Sequence, residues 1–147
     1  MARYAALSAL LVGALLLIVA EFLVVREIRA VTVVPPGGTT TGGELHDYAL
    51  ALVGVAVLPL TYAAMIRGLR PAMTALLVMA LIAVWIVLVI DQPKLEETGL
   101  IGRTYDLAEA RPGPGFYVEG VGAALVLAGA VGALVLGPLP RPRVSRS

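Results

Sequence analysis

The sequence predicts an all-α integral membrane protein: a four-transmembrane-helix bundle, up-down-up-down, with two extracytoplasmic loops. Three observations lead to that class. Four apolar runs punctuate the 147-residue chain, each of about 20 residues, the length that crosses roughly 30 Å of hydrocarbon at about 1.5 Å of rise per residue. The composition is 59% hydrophobic and 14% charged, with a mean hydropathy of +0.93, which lies outside the soluble globular range. The two longest polar connections, residues 26–46 and 91–115, are too short to bury a core of their own, so residues 1–147 form a single membrane domain.

The first run, residues 4–25, starts after Met-Ala-Arg as a signal peptide would. Its apolar body is longer than a signal-peptide core of about 7–15 residues and ends without a small-x-small cleavage pattern. It is therefore expected to stay as the first spanning helix, with Ala5, Ala9 and Gly13 as a small-residue stripe and Glu21 about one turn from its outer end. Residues 26–46 contain Pro35-Pro36-Gly37-Gly38 and Gly42-Gly43, which exclude a continuous helix. The β-favouring residues 31–34 suit a short strand.

The second helix is expected over residues 47–66, with Asp47 as its cap and a kink over residues 55–59 caused by Pro59. Arg67-Gly68-Leu69-Arg70-Pro71 is a tight turn whose proline suits the start of a helix, so the third span, residues 72–90, pairs antiparallel with the second. Residues 91–115 form the second outer loop, with an amphipathic turn expected over 105–111 before Pro112-Gly113-Pro114-Gly115 stops it. The fourth span is residues 116–136, and the proline-spaced basic tail, residues 137–147, is expected to be disordered.

The fourth span carries Gly120, Ala124, Ala128 and Gly132 at every fourth position, a small face that another helix backbone could approach closely. Leucine at Ala124 or Ala128 is accordingly expected to destabilise the assembly, and leucine at Ala123 or Ala130 to be tolerated if those positions face lipid.

Charge sets the orientation. Arg3, Arg67, Arg70, Arg141, Arg143 and Arg146 are dense in the short segments of one side, whereas Arg26, Arg29, Lys94, Arg103 and Arg111 are spread over the two longer loops. The denser side is cytoplasmic by the positive-inside rule, which puts both termini in the cytoplasm and the chain, multi-pass, in the cell membrane. Ala, Gly, Val, Pro and Arg enrichment is the signature expected of a GC-rich bacterial genome, hence a bacterial inner membrane.

Several chemistries are excluded. The chain has no cysteine, which removes thiolate catalysis, disulfides and thiolate metal sites. It has no phosphate-binding loop, no Ser-His-Asp arrangement and no basic-aromatic surface for nucleic acid; Gly120-Val121-Gly122 lacks the third glycine and the preceding strand of a dinucleotide fingerprint. The sole histidine, His46, stands between Glu44 and Asp47, but one imidazole among two chain neighbours is thin support for zinc, so no metal ligand and no cofactor are assigned. Glu21, Asp47, Asp91 and Glu119 come from four different helices yet lie within about a turn of the outer boundary, an acidic rim and the candidate ion or proton site.

Two outer loops around a hairpin of the second and third helices resemble the claudin-type tetraspan layout. The extracellular tryptophan and cysteine signature of that family is missing here, so no functional residue is carried over. The functional expectation is a non-enzymatic membrane accessory or scaffold subunit. Its partners would be the lipid bilayer and either copies of itself, as an oligomer, or a larger membrane protein met through the small-residue faces. The second expectation is a homo-oligomeric channel or transporter whose acidic rim gathers cations.

Overall fold

The computed structural model describes residues 1–30, 35–95, 98, 101 and 108–140. Four of its helices are long and apolar enough to cross a membrane: Ala2–Ala20, Ala49–Ile66, Arg70–Lys94 and Pro114–Leu136. In chain order we label α1 (Ala2–Ala20), β1 (Val24–Ala30), β2 (Thr39–Thr41), α2 (Gly42–His46), α3 (Ala49–Thr61), α4 (Arg70–Trp85), β3 (Ala108–Pro112) and α5 (Pro114–Leu136). Both α3 and α4 continue as wider π-helical turns, Tyr62–Ile66 and Ile86–Asp91, and the latter runs on through Gln92–Lys94.

The all-α expectation needs one correction, because the outer connections build a three-stranded antiparallel sheet of order β2-β1-β3. The first helix ends at Ala20, not residue 25, and the chain turns at Glu21 and Phe22 into β1. Val24 and Val25 extend the apolar run by composition, but as β-branched residues they suit the strand they occupy. On one side β1 pairs Ile28 with Ala110, and on the other it pairs Val24 with Thr41 and Arg26 with Thr40. That register leaves Val25 as an extra residue, a β-bulge, which lets Val25 and Ile28 both turn inward and bury. The strand suggested for residues 31–34 lies outside the described residues, as do residues 105–107 of the expected amphipathic turn; its described end, residues 108–111, belongs to β3. Of the basic tail, residues 141–147 lie outside the description.

The helical register carries two further features. The helix runs without a break across Pro59, and the departure from α geometry comes afterwards, at Tyr62–Ile66, where the Arg67 amide reaches the Tyr62 carbonyl five residues back. In the third long helix the π-helical stretch shifts the register of everything beyond Trp85, so Ile86, Val87 and Asp91 bury while Leu88 and Val89 remain exposed.

The bundle core contains Leu10, Leu17, Leu50, Val57, Met65, Leu76 and Val126, all fully buried. Its most extensively packed helix pair is α1 with α5. A Cβ added to Gly13 would lie 2.8 Å from the Val126 amide nitrogen and 2.9 Å from the Gly122 carbonyl oxygen, and one added to Gly129 would lie 3.0 Å from the Ala6 carbonyl oxygen. The contact face on α5 is therefore Gly122, Val126, Gly129 and Ala133, offset from the small face named above. Ala124 and Ala128 are exposed, and a Cβ on Gly120 would meet nothing within 4 Å. Of that series only Gly132 reaches α1, through Ala6. On α1, Gly13 is buried, Ala9 half-buried and Ala5 exposed.

At the end away from the sheet, Arg3 Nε donates to the Leu136 carbonyl and the Leu139 amide donates to the Met65 carbonyl, both at 2.8 Å. These bonds hold the N-terminus, the turn between α3 and α4, and the end of α5 together. The sheet and the four ionisable groups described below lie at the other end.

The expected tolerance of leucine at Ala123 and Ala130 is overturned, since both are buried within the chain. Gly129→Leu and Ala130→Leu should each destabilise the monomer by about 1–3 kcal/mol, whereas Ala124→Leu should leave its melting in detergent unchanged. Equal melting of all three variants would show that α1 and α5 do not meet along this face.

Candidate functional site

Three of the four acids named as a rim are not on a rim at all. Glu21, Asp91 and Glu119 are 1%, 0% and 0% exposed, and they converge from the end of α1, the end of the third long helix and the second turn of α5 on the imidazole of His46, the last residue of α2. Asp47 is placed elsewhere: it is exposed, it follows α2 in the left-handed region at φ 52°, and it does not cap α3.

Glu21 does that capping instead. Its Oε1 accepts from the Leu50 amide at 2.7 Å and from the Ala51 amide at 3.1 Å, the N2 and N3 donors of α3. A carboxylate there satisfies two orphan amides and meets the positive end of the helix dipole. Hydropathy shows Glu21 only as a polar interruption near a helix end; that it would serve a different helix depends on the turn at residues 21–23, which apolar periodicity does not report.

A short helix delivers His46. The Gly42 amide donates to the Leu23 carbonyl and the Gly43 amide to the Glu21 carbonyl, which lays α2 directly on the turn that carries Glu21. Gly42 must stay small, since its Cβ would lie 3.0 Å from Glu21 Oε2. Thr41 and Glu44 form a capping box: the Thr41 amide donates to Glu44 Oε2 at 2.9 Å and the Glu44 amide to Thr41 Oγ1. The backbone hydrogen bond from Thr41 holds the Glu44 carboxyl below its usual pKa, so Glu44 serves α2 and leaves His46 to other partners. Asp47 and Tyr48 then turn the chain sharply through two consecutive left-handed residues, φ 52° and 61°. This conformation is unfavourable for tyrosine and persists where neighbours enforce it. Packing of the Phe22 and Tyr48 rings, 5.9 Å apart, provides one such neighbour.

Around the imidazole, whose side chain is 6% exposed, Nδ1 lies 3.3 Å from Glu21 Oε1 and Nε2 lies 3.6 Å from Asp91 Oδ2. One ligand atom from each of His46, Asp91 and Glu119 lies within 4.8 Å of the others. Burial disfavours a charged imidazole and so does nearby Lys94, but the Glu21 and Asp91 carboxylates outweigh them and raise the His46 pKa above 6.5. Both oxygens of Asp91, both oxygens of Glu119, Glu21 Oε2 and both imidazole nitrogens have no hydrogen-bond partner among the described residues. Leaving buried carboxylates unpartnered is costly, so the arrangement can hold a proton or a cation that supplies the missing positive charge.

Two basic residues border the cluster. Arg26 donates to the Lys94 carbonyl and to Thr40 Oγ1, tying the sheet to the end of the third long helix, and Lys94 Nζ reaches the Leu45 carbonyl at 3.5 Å.

No family model, no curated protein and no solved structure matches this chain, so the site is read from its own geometry.

Removing the Glu21 carboxylate should expose how much of this end it organises. Glu21→Ala should destabilise the chain by about 1–3 kcal/mol and accelerate hydrogen exchange at the Leu50 and Ala51 amides. Unchanged exchange at both amides would mean that Glu21 does not cap α3.

Proposed function

We propose that this chain is a non-enzymatic integral membrane subunit that assembles, with copies of itself or with a larger membrane protein, through the outer face of its closing helix. Four helices of sufficient length and apolarity support membrane insertion. The density of Arg3, Arg67, Arg70 and the tail arginines supports a cytoplasmic location for both termini, and with it an outward-facing sheet. The GC-rich composition favours a bacterial inner membrane.

The observation that carries the assembly reading is the free small face of α5. Among the described residues, Gly120, Ala124 and Ala128 are not used by the chain's own packing, which runs through Gly122, Val126 and Gly129. Gly120, Ala123, Ala124 and Leu127 line an apolar groove against Val84, Val87 and Leu88 of the third long helix, open to the outside of the bundle. In lipid, where helices gain little from hydrophobicity alone, such close-approach faces promote association.

Purification in mild detergent should yield a stoichiometric partner or a defined homo-oligomer. Gly120→Leu and Ala124→Leu should abolish that association while leaving the melting of the chain itself intact. A monomer under all mild conditions, or association indifferent to both substitutions, would end this reading.

A homo-oligomeric cation channel or transporter is the second reading, favoured by the convergence of Glu21, Asp91 and Glu119 at one end of the bundle. Liposomes carrying the protein should then show cation flux that the Glu21→Gln/Glu119→Gln double variant loses. No flux, or flux that the double variant retains, would rule it out.

A further inference from the structure

We infer that His46, Asp91 and Glu119 form a binding site for a divalent transition-metal ion of the Zn²⁺ type, with Glu21 as the residue that orients the imidazole. The reasoning starts from distances. His46 Nε2 and Asp91 Oδ2 are 3.6 Å apart, too far for a hydrogen bond. Two ligands of one tetrahedral ion with bonds of about 2.1 Å stand about 3.4 Å from each other. The pair is thus spaced as two ligands of a shared ion are, and Glu119 supplies a third ligand atom within 4.8 Å of both. Contraction of a few tenths of an ångström for the pair, and more for the glutamate, closes the set.

The second, independent observation is the state of these side chains. Asp91 and Glu119 are completely buried, yet none of their four oxygens has a hydrogen-bond partner among the described residues. A fully buried acid normally finds donors. Lys94 acts on His46 and Asp91 while its Nζ reaches the Leu45 carbonyl. Three carboxyl groups, of Glu21, Asp91 and Glu119, thus gather about one imidazole, and the oxygens of Asp91 and Glu119 are available as ligands.

The identity of the ion follows from the donor set. One imidazole nitrogen and two carboxylates suit Zn²⁺, which takes four ligands of mixed nitrogen and oxygen type. Ca²⁺ requires six to eight oxygen ligands, more than the cluster offers. Glu21 completes the arrangement: its Oε1 stands 3.3 Å from Nδ1, near enough that a small rotation of the ring on metal binding would make the hydrogen bond by which a carboxylate fixes the tautomer of a ligating histidine and leaves Nε2 free to ligate. With three protein ligands, a fourth position stays open to water or to an incoming group. The ion would join the third long helix, α5 and α2, locking the outer cap to the bundle.

The test uses the full chain in detergent, stripped with a chelator and then titrated with Zn²⁺ alone. One zinc ion per chain is expected, not displaced by an equal concentration of Ca²⁺. Asp91→Asn and Glu119→Gln should weaken binding by about 100-fold or more, and Glu21→Gln by about 10–100-fold, the cost typical of losing an orienting carboxylate. Glu109→Gln on the exposed edge strand should change nothing. The absence of saturable zinc binding, or equal affinity in wild type and the two ligand variants, overturns the inference. X-ray absorption at the zinc edge on the wild-type chain decides the matter if a variant fails to fold. His46 is the sole histidine, so the outer-shell scattering of one imidazole supports the site, and its absence overturns it.

Discussion

The Glu21 carboxylate on the first amides of α3 is the contact on which the outer half of the molecule depends. It ends one long apolar helix and begins the next, across a connection that contains two strands and the short helix α2. Because Oε1 is committed to Leu50 and Ala51, the turn at residues 21–23 is fixed, and its carbonyls then receive the amides of Gly42 and Gly43. The short helix that carries His46 lies where it does because of those bonds. A buried charge normally counts against a fold, but here it is spent on orphan helix donors that an apolar environment would otherwise leave unsatisfied.

The sheet and the bundle constrain each other through this region. Val25 and Ile28 bury beneath the sheet, the Gly113 amide donates to the Val25 carbonyl at 2.7 Å, and α5 starts at the next residue. The strand therefore sets the level at which α5 begins, and with it the height of Glu119, in the second turn of that helix. In the third long helix the π-helical turns do the corresponding work for Asp91 by rotating it inward. Wider turns of this kind recur at functional positions in helices. Here one separates an apolar lipid-length segment from the single acid that the segment ends on.

How much of this was legible in the sequence differs from element to element for identifiable reasons. The four apolar segments could be read because length and hydropathy are local properties. The end of α1 could not, because Val24 and Val25 are as apolar as a membrane-length helix, and only the pairing of Val24 with Thr41 and of residues 26–30 with β3 reveals a sheet. The packing face of α5 was displaced by one step because Gly and Ala fill several four-residue series there. The series that packs is chosen by Gly13 on α1, a complementarity between helices that no single helix displays. The depth of Glu21, Asp91 and Glu119 could be read from their distance to the helix ends, and the structure gathers these three. The sequence sets His46 between its chain neighbours Glu44 and Asp47, whereas the left-handed pair Asp47-Tyr48 turns the chain so that its partners come from three distant helices.

The central claim is that three carboxylates from three helices surround one imidazole at the outer end of the bundle. Because the chain has a single histidine, nitrogen-15 labelling of histidine gives one imidazole spectrum that reports on this point alone. The account predicts that Glu21→Gln, Asp91→Asn and Glu119→Gln each shift the ring nitrogen resonances of His46, while Glu109→Gln leaves them in place. Ring resonances that ignore all three buried acids would contradict it.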